Sequence, residues 1–299
     1  MTMTRDDLHG FVPAIVTPFD DKGRIDDDAF LAIADYLLSR GATAICIAGD
    51  NGESWALSPD ERRHLTRRLV DHLGGRAKVI LGVSAPTGAT VDAYVAAARD
   101  GGADALLSMP PTYVLKASDV ELAARWERLA KSDLPLILYN SPRRAGLSMT
   151  IDQIERACDA APVIGIKESH RDFFHHSHLL DRLADRISVM TGPCHYILPT
   201  LALGARGFIA TGPELITARP ADLPTMAMGP DAASRAAHRQ LTGIYETLMG
   251  QGTWPAAFKA ALSLIGLPAG VPRDPVLPLG PEDMDRLRAA MDHLGITRK

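Results

Sequence analysis

Eight short apolar runs recur along the first 211 residues, and they constrain the fold more than any other feature of the chain. Each run is almost wholly apolar, whereas a strand with one face in water would alternate apolar and polar residues. Such runs are typical of parallel strands that are covered on both faces. They occupy residues 11–19, 42–49, 78–83, 104–109, 134–140, 162–167, 187–192 and 205–211.

Segments with helical periodicity separate these runs. The segment 58–74 shows the clearest ends: Ser58 suits an N-cap, Pro59 the first helical position and Gly74 the C-terminal end. Eight strand–helix units in 299 residues predict an α/β fold, a (β/α)8 TIM barrel. A doubly wound sheet is the alternative, but "TPFDDKG" after the first run is not the glycine-rich phosphate turn of that fold.

The pattern changes after Thr211, where helical segments follow one another without strands between them. About ninety residues of helix still need an apolar wall to bury against. We therefore expect a barrel over residues 1–225 and a C-terminal helical extension over residues 226–299 that packs on it. The helical segments lie near residues 231–250, 254–266 and 282–294.

Composition and charge narrow the classes of partner. The net charge of −4 and the pI near 6.2, with no basic block, argue against nucleic acid or an acidic membrane surface. No apolar run approaches the roughly 20 residues that span a bilayer, and "MTMTRDDLHG" has no secretory signal core. Cys46, Cys158 and Cys194 are too scattered for a disulfide framework or a zinc site. We expect a cytoplasmic protein without a cofactor.

The sixth apolar run ends in Lys167, at the position where a strand leaves the core. Catalytic groups of TIM barrels gather at these C-terminal strand ends. Partial burial there disfavours the charged ammonium, and a neutral amine can attack a ketone to form an iminium, which stabilises a neighbouring carbanion. The structural alternative is a lysine that extends into solvent or pairs with Glu168.

Polar side chains end the other predicted strands. Tyr139 ends the fifth run, with Arg144 shortly after it, while Asp50 and Asn51 lie in the turn after the second run. Tyr113 follows the fourth run. A phenol can relay protons, a guanidinium can bind a carboxylate with two hydrogen bonds, and turn amides can bind oxygens. Together these groups predict a site for a 2-oxo acid.

The histidine-rich stretch "SHRDFFHHSH" is a weaker signal. On a helix His175 and His178 share a face, which could bind a metal ion. No acidic or cysteine partner accompanies them at ligand spacing, so we predict no metal site.

Three motifs carry a resemblance to a known family. They are "GDNGE" at 49–53, "YNSPRRAG" at 139–146 and "GIKE" at 165–168. They are similar to the Gly-x-Thr-Gly-Glu, Tyr-Asn-x-Pro-x-Arg-x-Gly and Gly-x-Lys-Glu segments of the dihydrodipicolinate synthase and N-acetylneuraminate lyase family. These are class I aldolases that form a Schiff base with pyruvate. The resemblance extends from "VPAIVTPF" to "RDPVLPL" and covers nearly the whole chain.

The resemblance implies a role for each matching residue. Lys167 resembles the Schiff-base lysine, and Tyr139 resembles the tyrosine that binds the substrate and relays protons. Arg144 resembles the arginine that binds a second carboxylate in the synthases. Gly192 and Ile209 resemble residues whose backbones line the pyruvate pocket.

Other positions depart from the synthases or point to a partner subunit. Tyr113 matches a tyrosine that reaches the neighbouring subunit's site, which implies a homodimer or homotetramer. Asn51 stands where a threonine binds the pyruvate carboxylate, and it keeps an amide and a side-chain donor. Asp50 replaces a relay hydroxyl with a carboxylate that would repel a nearby carboxylate or act as a base.

We therefore predict a lyase that forms a lysine Schiff base with pyruvate or another 2-oxo acid, similar to dihydrodipicolinate synthase. Within the family the alternatives are an aldolase for a 2-keto-3-deoxy sugar acid or N-acetylneuraminate, and a 2-oxo acid dehydratase or deaminase. A sensor that binds 2-oxo acids without turnover is the non-enzymatic alternative. The presence of both Lys167 and Tyr139 argues against it, because a mere binder needs no iminium-forming pair.

Overall fold

The computed structural model describes residues 3–296, in which eight strands form a single parallel sheet. The sheet closes because the Thr43 amide donates to the Phe11 carbonyl at 3.0 Å and the Ile15 amide donates to the Cys46 carbonyl at 3.0 Å. The strand order is β1-β8-β7-β6-β5-β4-β3-β2. The strands are β1 (Gly10–Phe11), β2 (Ala44–Ile47), β3 (Lys78–Gly82), β4 (Ala105–Ser108), β5 (Leu136–Asn140), β6 (Val163–Glu168), β7 (Ser188–Thr191) and β8 (Gly207–Phe208).

A helix follows every strand, which confirms the predicted TIM barrel. The helices are α1 (Asp27–Ser39), α2 (Pro59–Leu73), α3 (Gly88–Gly101), α4 (Asp119–Ala130), α5 (Pro142–Ala145), α6 (Ile151–Ala160), α7 (Phe173–Leu183), α8 (Ile197–Ala202), α9 (Leu223–Met228), α10 (Ala232–Met249), α11 (Ala256–Leu264) and α12 (Pro281–His293). The Ser58 hydroxyl accepts the Glu61 amide at 3.2 Å, as expected of the N-cap of α2. The short helices α5, α8 and α9 are not indicated by the sequence, since four to six residues carry too little periodicity.

The first and last strands are shorter than the predicted runs 11–19 and 205–211. Pro13 has no amide to donate, so the regular ladder of β1 stops early. The extended backbone continues beyond both strands, because the Val12 amide donates to Phe208 at 3.1 Å and the Ile209 amide donates to Thr191 at 3.0 Å.

The barrel encloses its own apolar core, separate from the larger core between strands and helices. Met3 and Leu8 belong to this inner core, together with strand residues such as Ile137 and Met190. A Cβ added at Gly165 would lie 2.4 Å from Leu8 Cδ2, so the glycine makes room for the leucine. The N-terminal segment therefore plugs the base of the barrel.

The C-terminal helices bury their apolar faces in the outer core, to which Leu241, Phe258 and Leu287 all belong. The predicted boundary between residues 225 and 226 falls inside α9, so no linker separates the two parts, and the division there stays a prediction. None of the described helices is long and apolar enough to cross a membrane.

Candidate active site

The register between β5 and β6 sets the centre of the site. Tyr139 lies beside Lys167 and Asn140 beside Glu168 in the parallel ladder, so the first pair points into the barrel and the second points outward. Lys167 is only 6% exposed, and its Nζ lies 4.3 Å from the centroid of the Tyr139 ring. The tyrosine hydroxyl makes no hydrogen bond within residues 3–296, which leaves it free for a substrate.

Glu168 is not the partner of Lys167. Its fully buried carboxylate accepts hydrogen bonds from Asn140 Nδ2 at 3.0 Å and from the His170 amide at 2.7 Å, and it lies 3.2 Å from His175 Nε2. No carboxylate of the described chain forms an ion pair with Lys167. The structural alternative of a solvated or paired lysine is therefore wrong.

The Cys46 thiol, which lies inside the barrel near Lys167, adds no negative charge beside the amine. Burial raises the pKa of the Cys46 thiol to about 11, and the nearby charge of Lys167 offsets this only in part. The thiol is thus protonated at neutral pH. The amine consequently faces an apolar barrel interior beneath it and a cleft above it.

The cleft opens at the C-terminal ends of the strands, and it brings together every predicted site residue except Tyr113. Tyr113 is 90% exposed and has a φ of +70°. It lies outside the cleft of its own chain. No group of three or more histidine, cysteine or acidic side chains suited to a metal ion occurs among residues 3–296.

Asn51 has its side-chain groups occupied. Its Nδ2 donates to the Ala14 carbonyl at 2.9 Å, and its Oδ1 accepts the Thr211 hydroxyl at 2.9 Å. One of the two side-chain N–H bonds that the sequence suggested for a substrate is therefore used within the protein, and the residue is only 3% exposed. Its backbone amide has no acceptor in the described part of the chain, and this N–H remains available to an oxygen of a ligand.

Gly192 and Ile209 also have their amides occupied. The Gly192 amide donates to the Glu168 carbonyl at 2.7 Å, and the Ile209 amide donates to the Thr191 carbonyl at 3.0 Å. A Cβ at Gly192 would lie 2.8 Å from the Glu168 carbonyl oxygen, a backbone atom that cannot turn away, so a larger residue does not fit there. Only the carbonyls of these two residues remain to serve a ligand.

The turn that carries Asp50 and Asn51 is anchored from the C-terminal helices. Glu53 ends this turn at a φ of +55° and is fully buried. Its carboxylate lies 2.5 Å from Lys259 Nζ and accepts the Arg273 amide at 2.8 Å. Burial lowers the pKa of Lys259 to about 8, and the Glu53 carboxylate opposes this shift.

Asp50 and Arg144 form an ion pair within the cleft, with Asp50 Oδ2 2.7 Å from Arg144 Nη2. The two side chains are 23% and 37% exposed, respectively. Arg143 and Arg171 also line the cleft, and neither has a carboxylate partner within residues 3–296. The cleft therefore keeps an excess of positive charge.

Three side chains from the C-terminal part line the cleft and were missed by the sequence analysis. They are Tyr245 and Met249 of α10, one helical turn apart, and Trp254. Arg171 donates to the Tyr245 hydroxyl at 3.3 Å. No local pattern marks these residues, because only the packing of α10 against the barrel rim brings them to the site.

Comparisons with known proteins agree on one family. The model of the dihydrodipicolinate synthetase family matches residues 7–294. The 4-hydroxy-tetrahydrodipicolinate synthase of Pseudomonas aeruginosa is 33% identical over 292 residues, which cover 97% of this chain and 99% of that protein. The crystal structure of a dihydrodipicolinate synthase from Bacillus anthracis has a TM-score of 0.88 and 28% identity, covering 98% of this chain and 99% of that one. The Acinetobacter baumannii synthase complexed with pyruvate has a TM-score of 0.86 and 26% identity, covering 97% and 100% of the two chains.

Proposed function

The chain belongs to the dihydrodipicolinate synthetase family, and we propose that it is a class I lyase that binds pyruvate or another 2-oxo acid as a Schiff base on Lys167. One observation carries this proposal. The amine is buried at the floor of the cleft, has no carboxylate partner among residues 3–296, and lies over the Tyr139 ring. The amine therefore lies beside a phenol that can exchange protons with it, at a point of the cleft where it can attack the carbonyl carbon of a bound 2-oxo acid.

The chemistry follows from this pair. The lone pair of the Lys167 amine adds to the C2 carbonyl carbon, the carbonyl oxygen takes up protons, and water leaves to give an iminium. The Tyr139 hydroxyl delivers and removes these protons. Loss of a proton from C3 gives an enamine, whose electron pair forms a bond to the carbonyl carbon of a second substrate. The reverse sequence cleaves that bond, and water releases the amine.

Binding groups for the carboxylate of the 2-oxo acid line the same cleft. The free backbone amide of Asn51 can donate to it, as turn amides do to anions. Arg143 and Arg171 add positive charge at the cleft without a carboxylate to neutralise them.

Aldol condensation similar to that of dihydrodipicolinate synthase is the first choice of reaction, since the P. aeruginosa relative carries the name 4-hydroxy-tetrahydrodipicolinate synthase. Dehydration or deamination of a 2-oxo acid uses the same iminium and is the alternative within this mechanism. The name of the relative supports the type of reaction, whereas the second substrate is a separate question: the pairing of Asp50 with Arg144 favours the aldolase for a 2-keto-3-deoxy sugar acid, whose second substrate carries hydroxyl groups. A sensor without turnover would have no use for the juxtaposed amine and phenol.

We also propose that the protein is a homodimer or homotetramer. Tyr113, Val114 and Leu115 expose 90%, 41% and 64% of their surface, and three such neighbouring side chains suit a protein interface. An exposed Tyr113 can reach the cleft of a second copy. Sedimentation velocity should show a single species of at least dimer mass, and a monomer at micromolar concentration would contradict this proposal.

Borohydride trapping tests the Schiff base directly. Wild-type protein treated with pyruvate and borohydride should gain the mass of one reduced pyruvate adduct per chain. Lys167→Ala should gain none, whereas Lys131→Ala, which removes an exposed lysine at the end of α4, should behave as wild type. Tyr139→Phe should form the adduct more slowly. An adduct in Lys167→Ala would refute the assignment.

A further inference from the structure

The ion pair between Asp50 and Arg144 joins two loops that come from distant strands. Asp50 follows β2, and Arg144 lies in α5 after β5, three strands away in the sheet. A contact of 2.7 Å between these side chains therefore reaches across the cleft. Both side chains stay partly exposed, so a molecule that occupies the cleft above Lys167 can contact the pair.

The pair changes what Arg144 can bind. A guanidinium binds a carboxylate best through two parallel hydrogen bonds, and Asp50 already occupies Nη2. A second carboxylate would have to displace Asp50 or lie beside it, and like charges at such a distance oppose binding. A hydroxyl group meets no such penalty, since it donates to the Asp50 carboxylate and accepts from a remaining N–H of Arg144.

Asp50 neutralises only the arginine it contacts and leaves the other two arginines of the cleft charged. Arg143 and Arg171 carry positive charge without a carboxylate partner among residues 3–296, so a 2-oxo acid is still attracted electrostatically. Asp50 neutralises one arginine among three.

We propose that Asp50 is a specificity-determining residue that blocks carboxylate binding at Arg144. The second substrate then bears an uncharged, hydroxylated group where it meets Arg144, as a polyhydroxy aldehyde does. This inference rests on the proposed Schiff-base function, in which that aldehyde accepts the enamine or is released by cleavage.

Two variants and one control test the proposal. Asp50→Asn removes only the charge, and Asp50→Thr also shortens the side chain. Asp185→Asn makes the same charge change at an exposed position after α7, at the opposite end of the barrel. Each protein is saturated with pyruvate and titrated with succinate as an unreactive dicarboxylate probe. Initial rates are then compared for D-glyceraldehyde and succinic semialdehyde as second substrates.

Both Asp50 variants should bind succinate at least about tenfold more tightly than wild type. They should also shift the ratio of kcat/KM toward succinic semialdehyde, and Asp185→Asn should change neither quantity. Succinate affinities of both Asp50 variants within threefold of wild type overturn the proposal, whatever the rates, whereas a larger gain supports it. Borohydride trapping of pyruvate on each protein distinguishes failure of the Asp50 proposal from failure of the proposed function. A wild-type protein that forms no adduct refutes the Schiff-base function itself.

Discussion

Replacing Lys259 with methionine should destabilise the protein strongly, because it leaves the buried Glu53 carboxylate without its cation. At 2.5 Å the gross attraction of this pair is roughly 6–7 kcal/mol for an effective dielectric constant of 20. Desolvation of the two ions cancels most of this attraction, so the intact pair adds little net stability. Once one partner is removed, the desolvation cost of the remaining buried charge is no longer offset by the attraction. The resulting loss of stability typically amounts to about 3–5 kcal/mol.

Proton uptake sets a ceiling on this cost. Protonating an ordinary glutamate side chain costs about 3–4 kcal/mol at pH 7 and about 1 kcal/mol at pH 5. The Lys259→Met protein should therefore lose about 3–4 kcal/mol at pH 7 and only about 1 kcal/mol at pH 5, relative to wild type at each pH. Urea unfolding followed by circular dichroism measures both differences.

Two further proteins complete the test. The double variant Glu53→Gln/Lys259→Met replaces the pair by neutral groups and should recover at least about 2 kcal/mol of the loss at pH 7. Lys131→Met removes an exposed lysine and should stay within about 0.5 kcal/mol of wild type. A loss of the same size at pH 5 and pH 7, or a double variant less stable than the single one, would refute the reasoning.

Two other side chains allow comparable tests. Burial raises the pKa of Glu214 from 4.5 to about 7, so the folded protein holds this proton more tightly and loses stability as the pH rises from about 4.5 to 7. The glutamine of Glu214→Gln can still accept the Gly212 amide but cannot titrate. Between pH 4.5 and 7 the free energy of unfolding of this variant should therefore vary by up to about 3 kcal/mol less than that of wild type, as chemical unfolding measures. An unchanged pH profile would argue against this. Gly165→Ala places a Cβ 2.4 Å from Leu8 Cδ2 and 2.7 Å from the Ser188 carbonyl, and thermal unfolding should show a loss of about 1–3 kcal/mol. A wild-type melting temperature would contradict that prediction.

The barrel, and the placement of Lys167 and Tyr139 on the same rim, could be predicted because both depend on local patterns. Apolar runs define the strands, and parallel strands bring their C-terminal ends to one rim, so Tyr139 and Lys167 had to end near each other. Their direct pairing could not be predicted. The register shifts between Leu136 and Ile137, and such an irregularity leaves no signal in the sequence.

The contacts between distant loops lay beyond the sequence for a different reason. The sequence marked Asp50 and Arg144 separately, as a carboxylate that would repel a substrate and as an arginine that would bind one. Their ion pair forms only because the turn after β2 and the helix after β5 place the two side chains within contact across the cleft. Tyr245 and Trp254 reach the cleft only through the packing of the C-terminal helices.

The closure of the sheet has a consequence for synthesis on the ribosome. Gly10 pairs with Gly207, and Leu8 packs inside the barrel against β6. The first residues to emerge therefore cannot complete these contacts until about two hundred more residues have been synthesised. At roughly 5–20 residues per second this wait lasts on the order of 10–40 s. During that interval the nascent chain carries an apolar amino-terminal segment and a first strand whose edge toward β8 is unpaired. The cell must keep this stretch from associating with other chains until the ring can be completed.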